Sequence, residues 1–163
     1  MPLLHSTMVP LGTKAMDFNL TGIDGKEYSI ASFSNNPVLV IIFMCNHCPY
    51  VKAVIQRLVD LQSDFSNQGV RLVGINCNDA EKYPDDSFEN MKKFSKKYNF
   101  EFPYLYDSTQ EVAKKFKAIC TPDFFGFNKK LELHYRGRID SGSLNKKGMT
   151  LVPLKFYFSK KRN

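Results

Sequence analysis

From Pro37 to Phe43 the chain reads PVLVIIF, seven residues with no polar side chain. A continuous, β-branched apolar run of this length predicts a strand buried on both faces. Val51, Val54, Ile55, Leu58, Leu61 and Phe65 then recur at helical spacing, with Gln62 as the polar member of the set. They predict a helix that lays one face on the sheet. Val70 to Asn76 predicts the next strand, and a strand, helix and strand of these lengths predict a right-handed crossover joining a parallel pair. Ahead of them, DFNL and GIDGKEYSIASF predict a short hairpin turning at Asp24-Gly25. The second half repeats the alternation. Phe88, Met91, Phe94 and Tyr98 mark a helix, with Asp85 and Asp86 before its positive end and the run Lys92 to Lys97 in its later turns. FPYLYD predicts a short strand. STQE, Ser108 to Glu111, has the form of a capping box, and Val112, Ala113 and Phe116 follow it on one face. DFFGFN and LELHYRG predict a hairpin turning at Asn128-Lys129-Lys130. The order is β-β-α-β-α-β-α-β-β, a single α/β domain without internal repeat or low-complexity linker.

Composition narrows this picture only slightly. A chain of 163 residues can bury a real core, and 14 Phe and 8 Tyr with no Trp give it an aromatic interior. No apolar run approaches the roughly 18 residues that cross a bilayer. The first residues lack a basic stretch, and Pro10, Gly12 and Lys14 interrupt their apolar members, unlike a secretory leader. The expected location is therefore cytoplasmic. The net charge of +7 is uneven. Residues 141–163 hold Lys146, Lys147, Lys155, Lys160, Lys161 and Arg162 and no acid, so residues 1–140 are close to neutral. No nucleic-acid motif accompanies the charge, so neither a nucleic-acid nor a membrane partner is expected, and residues 141–163 read as a divergent basic tail. Residues 1–140 form the expected domain.

The chemistry lies at the junction between the first buried strand and the first long helix. Cys45 and Cys48 stand there, separated by Asn46 and His47. A reducing cytosol disfavours structural disulfides, so a C-x-x-C pair reads as redox-active or metal-binding. The start of a helix offers unpaired amides and the positive end of the dipole, which favour a thiolate. Cys45, nearer the tip, is expected as the exposed attacking sulfur, and Cys48, in the first helical turn, as the buried resolving one. Pro49 suits a first turn. An imidazolium at His47 would stabilise the thiolate further and make the disulfide more oxidising. Cys77 reads as a buried thiol at a strand end. Cys120 reads either as a third redox thiol or as a small core residue. His5 and His134 are isolated, and Arg136 to Arg138 reads as a turn with solvated charges.

Strand, C-x-x-C and helix, followed about seventy residues later by ICTPDFFGF, resemble the thioredoxin superfamily. The resemblance implies a thioredoxin-like fold, a cis peptide at Thr121-Pro122 facing the cysteines, and a substrate strand held by Thr121 and Pro122. FMCNHCPYVK, GINCNDAEKYPDDSFENM and CTPDFFGF are similar, more narrowly, to bacterial peroxiredoxin-like proteins of the alkyl hydroperoxide reductase/thiol-specific antioxidant group, over roughly residues 8–140. The implied activity is thiol–disulfide exchange through Cys45, Cys48 and His47. No cofactor is expected beyond the Cys45–Cys48 disulfide, and no metal. The partners would be a thiol or disulfide substrate and an unidentified reductant.

The sequence departs from these patterns in three places. A peroxiredoxin places Pro-x-x-x-Thr/Ser-x-x before its cysteine. If Cys48 took that cysteine's place, Cys45 would stand at the hydroxyl position and Ile41 at the proline. Thiol peroxidase activity is thus the alternative, and a Cu- or Zn-binding thiol protein the further one. Pro37 to Met44 lacks the buried acid of ordinary thioredoxins, leaving water, His47 or a loop carboxylate such as Asp79 to move protons. Residues 141–163 show no helical face where related proteins close with a helix. An exposed sheet face would then be covered by the tail, or by a second copy of the chain in a homodimer.

Overall fold

The computed structural model describes residues 9–118 and 121–137. The predicted first hairpin forms β1 (Asn19–Gly22) and β2 (Glu27–Ser29), turning through Gly25 at φ +80. The apolar run forms β3 (Val38–Met44), with every residue buried, and α1 (Pro49–Phe65) follows. Then come β4 (Val70–Asn76), α2 (Phe88–Tyr98), β5 (Tyr104–Tyr106), α3 (Glu111–Phe116), β6 (Asp123–Phe127) and β7 (Leu133–Gly137). The strands make one seven-stranded mixed sheet in the order β2-β1-β5-β4-β3-β6-β7. β3, β4 and β5 run parallel at its centre, and β6 lies antiparallel against β3. This is the α/β arrangement that the resemblance implies.

The strand period of two divides β3 between two cores. Val40, Ile42 and Met44 pack with Val51, Ile55 and Leu58 of α1 and Phe94 of α2. Leu39, Ile41 and Phe43 face the opposite way, toward Phe18, Phe33, Phe125 and the α3 residues Val112, Ala113 and Phe116. Among the described residues, both faces of the central strands are packed. Residues 141–163, on which the expectations of a divergent tail and of no closing helix fall, lie outside the described residues.

Gln62 explains how a polar residue occupies the buried stripe of α1. β5 pairs only with Gly74 to Asn76, so the first half of β4 has no strand on that side. The Gln62 amide takes the strand's place: Nε2 donates to the Val70 carbonyl at 3.0 Å, and Oε1 accepts from Leu72 N at 2.9 Å.

Two local expectations fail. Ser108 does not cap α3. The residue before that helix, Gln110, is left-handed at φ 62, and the cap comes from Asp107, whose carboxylate accepts from Val112 N at 3.3 Å and Ala113 N at 2.9 Å. Asp107 is buried against β4 and displaces the weaker hydroxyl cap. Arg136 is not a solvated turn residue either. It lies in β7, pairs with the buried Asp123 and covers the Phe125 ring at 3.8 Å.

Candidate functional site

β3 delivers Cys45 to the edge of the sheet, and α1 begins four residues later. Cys48 is the residue that caps α1, one position before the first turn, with Pro49 opening the helix. β6 returns antiparallel to β3 and brings Thr121 and Pro122 to the same end. The Thr121-Pro122 peptide is cis. Thr121 touches both sulfurs: its Oγ1 lies 3.6 Å from Cys45 Sγ, and its carbonyl oxygen 3.5 Å from Cys48 Sγ. Both cysteines are fully buried, so Cys45 is not the exposed member expected.

The two thiols are coupled through a hydrogen bond, and the first proton leaves easily while the second is held. Cys48 is lowered to about 5, chiefly by the hydrogen bond from Cys45. The Thr121 hydroxyl and the first-turn amides of Val51 and Tyr50 add to this, against the cost of burial. Cys45 is pushed up, because its S–H serves as the donor to Cys48 and because it is buried. The Thr121 carbonyl beside Cys48 favours an S–H there, but it is one long contact against several donors. These directions favour a thiolate on Cys48, at the helix start, over one on Cys45.

The acid missing from β3 is supplied from elsewhere. Asp86 comes from the short turn Pro84–Asp86 ahead of α2 and is fully buried. Its Oδ1 accepts from Asn46 N at 2.5 Å and from Asn76 Nδ2 at 3.1 Å. Its Oδ2 accepts from Asn78 Nδ2 at 2.9 Å and pairs with His47 Nδ1. The His47 ring is fixed from its other side by Tyr83, stacked at 4.7 Å between centroids and 9° between planes. Asn46 completes the cage: its Oδ1 accepts from Tyr104 at 2.8 Å, and its Nδ2 donates to the Asp85 carbonyl at 2.8 Å. Burial, with the charge of Asp86, pushes the Tyr104 phenol up. Asp79 accepts from Glu81 N at 2.9 Å. Asp86 was visible in the sequence only as an acid preceding a helix, and nothing local linked it to residues 39 and 40 positions earlier.

Cys77 follows β4 and is partly buried on the opposite side of the sheet. Burial and the charge of Asp107 push its thiol up to about 12, which leaves it a poor nucleophile. Cys120 lies outside the described residues, as does His5. His134 is on exposed β7 backbone beside Asn128. Cys45, His47 and Asp86 offer ligand-type atoms within 4.8 Å of one another. Both Asp86 oxygens already accept two hydrogen bonds each, and His47 Nδ1 is engaged with one of them, so a metal would have to break this cage.

The model of the AhpC/TSA family matches residues 11–137. The chain belongs to that family. A solved structure of an uncharacterized conserved protein from Geobacillus kaustophilus superposes with a TM-score of 0.87 at 48% identity, covering 90% of this chain and 78% of that one. A hypothetical protein from Sinorhizobium meliloti 1021 gives 0.90 at 37% identity, over 93% and 83%. The thioredoxin domain of a Bacteroides vulgatus thiol-disulfide oxidoreductase superposes at 0.68 with 13% identity, over 79% of this chain and 89% of that one, which establishes the thioredoxin-like fold. Among curated relatives, a peroxiredoxin Q of rice is 28% identical over 72% of this AhpC/TSA chain, which spans about half of that relative, 50%. The thiol-disulfide oxidoreductase ResA of Geobacillus thermodenitrificans is 22% identical over 77% of this chain and 67% of its own.

Proposed function

We propose that the chain is a thiol–disulfide oxidoreductase. Its redox unit is the Cys45–Cys48 pair, its substrate a peptide or small-molecule disulfide, and its electrons come from a thiol donor in a reducing compartment such as the cytoplasm. The observation that carries the reading is the contact of Thr121 with both sulfurs at the junction of β3 and α1, where hydrogen bonds lower the Cys48 thiol. The thiolate is the form that attacks a disulfide. Cys48 attacks the substrate sulfur, one substrate thiolate leaves, and a mixed disulfide forms. Cys45 then attacks Cys48 Sγ, the Cys45–Cys48 bond forms, and the second substrate thiol is released. Two electrons pass from the pair to the substrate, and the thiol donor restores the dithiol. Thr121 and Pro122 flank the sulfurs where a substrate strand would lie.

The test is the reduction potential of the pair, by thiol trapping across glutathione buffers, together with adduct capture in the serine variants. A stabilised thiolate stabilises the reduced form, so the potential is expected above the thioredoxin value of about −270 mV. Cys45→Ser should accumulate the mixed disulfide. Accumulation in Cys48→Ser instead would assign attack to Cys45, and failure of any Cys45–Cys48 disulfide to form would end the reading.

Peroxidase activity is the second reading, favoured by the peroxiredoxin Q similarity and by the Cys48 thiolate. The hydroxyl that a peroxiredoxin places three residues earlier is here the thiol of Cys45. Peroxide should therefore oxidise Cys48 no faster than its thiolate content accounts for. A rate several orders above that would favour this reading over the first.

A further inference from the structure

The segment between β4 and α2 is held against the residues between the two cysteines by Asp86, and it brings with it side chains that the exchange chemistry does not use. Tyr83 is one of them. Most aromatic rings of the chain are buried, but Tyr83 is 47% exposed. It lies one ring away from the redox pair: it stacks on His47, and a His47 ring nitrogen lies within 4.8 Å of Cys45 Sγ. Because His47 covers one face of the Tyr83 ring, the exposed area belongs to the other face and the edge. The backbone fixes the ring's position from both sides. Tyr83 N donates to the Asp79 carbonyl at 2.8 Å, and Asp86 N donates to the Tyr83 carbonyl at 2.9 Å. The charge around the ring is acidic, although the chain as a whole carries +7. Besides the buried Asp86, the segment holds Asp79, Glu81 and Asp85 against Lys82. Asp79 shapes a turn through Glu81 N. The exposed carboxylates of Glu81 and Asp85 have no hydrogen bond or ion pair among the described residues, so the local fold does not account for them.

We propose that the exposed face of Tyr83, flanked by the Glu81 and Asp85 carboxylates, is a substrate-docking surface beside the redox pair, and that its occupant is a Lys or Arg side chain of a polypeptide substrate, close to the disulfide under attack. The inference rests on the thiol–disulfide reading and deepens it by naming the substrate class. An aromatic face attracts a cation through its quadrupole, and a guanidinium also stacks on it. Carboxylates without partners of their own add complementary charge, which steers a basic segment to the site and sets its register. Other occupants fit less well. An apolar side chain would take Glu81 and Asp85 out of water without pairing them, and an acidic one would be repelled. The ring needs no ordering on binding, because His47 and the two backbone hydrogen bonds already hold it. Thr121 touches the same sulfur that His47 approaches, so a strand lying at Thr121 is within a long side chain's reach of Tyr83. The surface is assembled from a segment more than thirty residues after the cysteines, and Asp86 is what joins the two.

The test uses the reduced full chain and two tripeptides, acetyl-Lys-Cys-Lys-amide and acetyl-Glu-Cys-Glu-amide, each joined through its cysteine to thionitrobenzoate. Attack of the protein thiolate on the peptide sulfur forms the mixed disulfide and releases thionitrobenzoate, whose absorbance gives the rate. Each rate is divided by that of the same peptide with 2-mercaptoethanol, which removes the difference in intrinsic reactivity. The corrected rate should favour the Lys peptide by about fivefold or more at low salt. Tyr83→Leu, and Glu81→Gln combined with Asp85→Asn, should each cut that preference by about two- to fivefold, whereas Tyr83→Phe keeps the ring face and should keep the preference. All three positions are exposed, so the variants are expected to fold. Equal corrected rates for the two peptides, or faster reaction of the Glu peptide, would overturn the inference. So would a preference that survives in both the Tyr83→Leu and the Glu81→Gln/Asp85→Asn chains, because it would then come from the charge of the attacking sulfur itself. In each of these cases, release of the peptide thiol with formation of the Cys45–Cys48 disulfide leaves the oxidoreductase reading standing. A wild-type chain that stops at the mixed disulfide overturns that reading, and the inference with it.

Discussion

Arg136 of β7 and Asp123 of β6 form an ion pair in which the side chains are 3% and 0% exposed. Asp123 directly follows Pro122, so the pair anchors the strand that carries Thr121 to the sulfurs. The guanidinium also lies over Phe125. Removing one member of a buried pair strands the other charge and costs about 3–5 kcal/mol, whereas replacing both with apolar or neutral groups costs much less. Arg136→Ala should lower the urea midpoint of the reduced protein accordingly, and Asp123→Asn combined with Arg136→Met should recover most of the loss. Equal losses in the single and double variants would mean that the packing over Phe125, rather than the charge, supplies the stability.

Gln62 should be intolerant of an apolar substitute despite lying in an apolar stripe. Gln62→Leu fits the hydrophobic pattern better but leaves the Val70 carbonyl and the Leu72 amide without their partner. Each buried orphan costs about 1–3 kcal/mol. Chemical denaturation should register a destabilisation in that range, and hydrogen exchange at Leu72 should accelerate more than at Ile75, which lies where β5 pairs with β4.

Gly69 stands between α1 and β4 at φ +76, and a Cβ there would lie 2.5 Å from Pro37 Cδ. Gly69→Ala therefore combines an unfavourable backbone conformation with a clash against a rigid ring. A loss of about 1–3 kcal/mol is expected in urea unfolding, and a neutral result would show that the loop relocates freely.

The Cys48 thiolate should be visible in ultraviolet absorbance, with a midpoint near pH 5 in the reduced protein against an ordinary thiol value of 9.0. Cys45→Ala removes the largest contributor and should move the midpoint upward. Because the folded value lies below the unfolded one, the thiolate favours the folded state. Its contribution is complete above about pH 9 and is lost as pH falls through about 5. Comparing urea midpoints of reduced wild type and Cys48→Ser across this window measures it. A difference independent of pH would place the anion elsewhere.

Most of the architecture was legible because strand and helix periods are written in consecutive residues. The run after Pro37, the Asp24-Gly25 turn and the stripe from Val51 to Phe65 each specify their element locally. The C-x-x-C pair and Thr121-Pro122 were legible for the same reason, and resemblance joined them. What escaped was pairing at a distance. Asp85 and Asp86 look alike in sequence, yet Asp86 is fully buried in the cage around His47, while Asp85 lends its carbonyl to Asn46. STQE has the form of a cap, but the buried carboxylate of Asp107 wins because the backbone turns left-handed at Gln110. Arg136 was misread because its partner Asp123 sits on a neighbouring strand.

The separation between Cys45 and Thr121, 76 residues along the chain, sets the order in which reactivity can appear during synthesis. A growing polypeptide that has emerged only through α3 already contains Cys45, Cys48, His47 and Asp86 but not β6, the antiparallel neighbour of β3. The Thr121 hydroxyl has not arrived, and one edge of the strand carrying the cysteines is still unpaired. Non-local pairing is the slow part of folding a mixed sheet. The nascent thiols are therefore present before the residues that complete the site and set their reactivity.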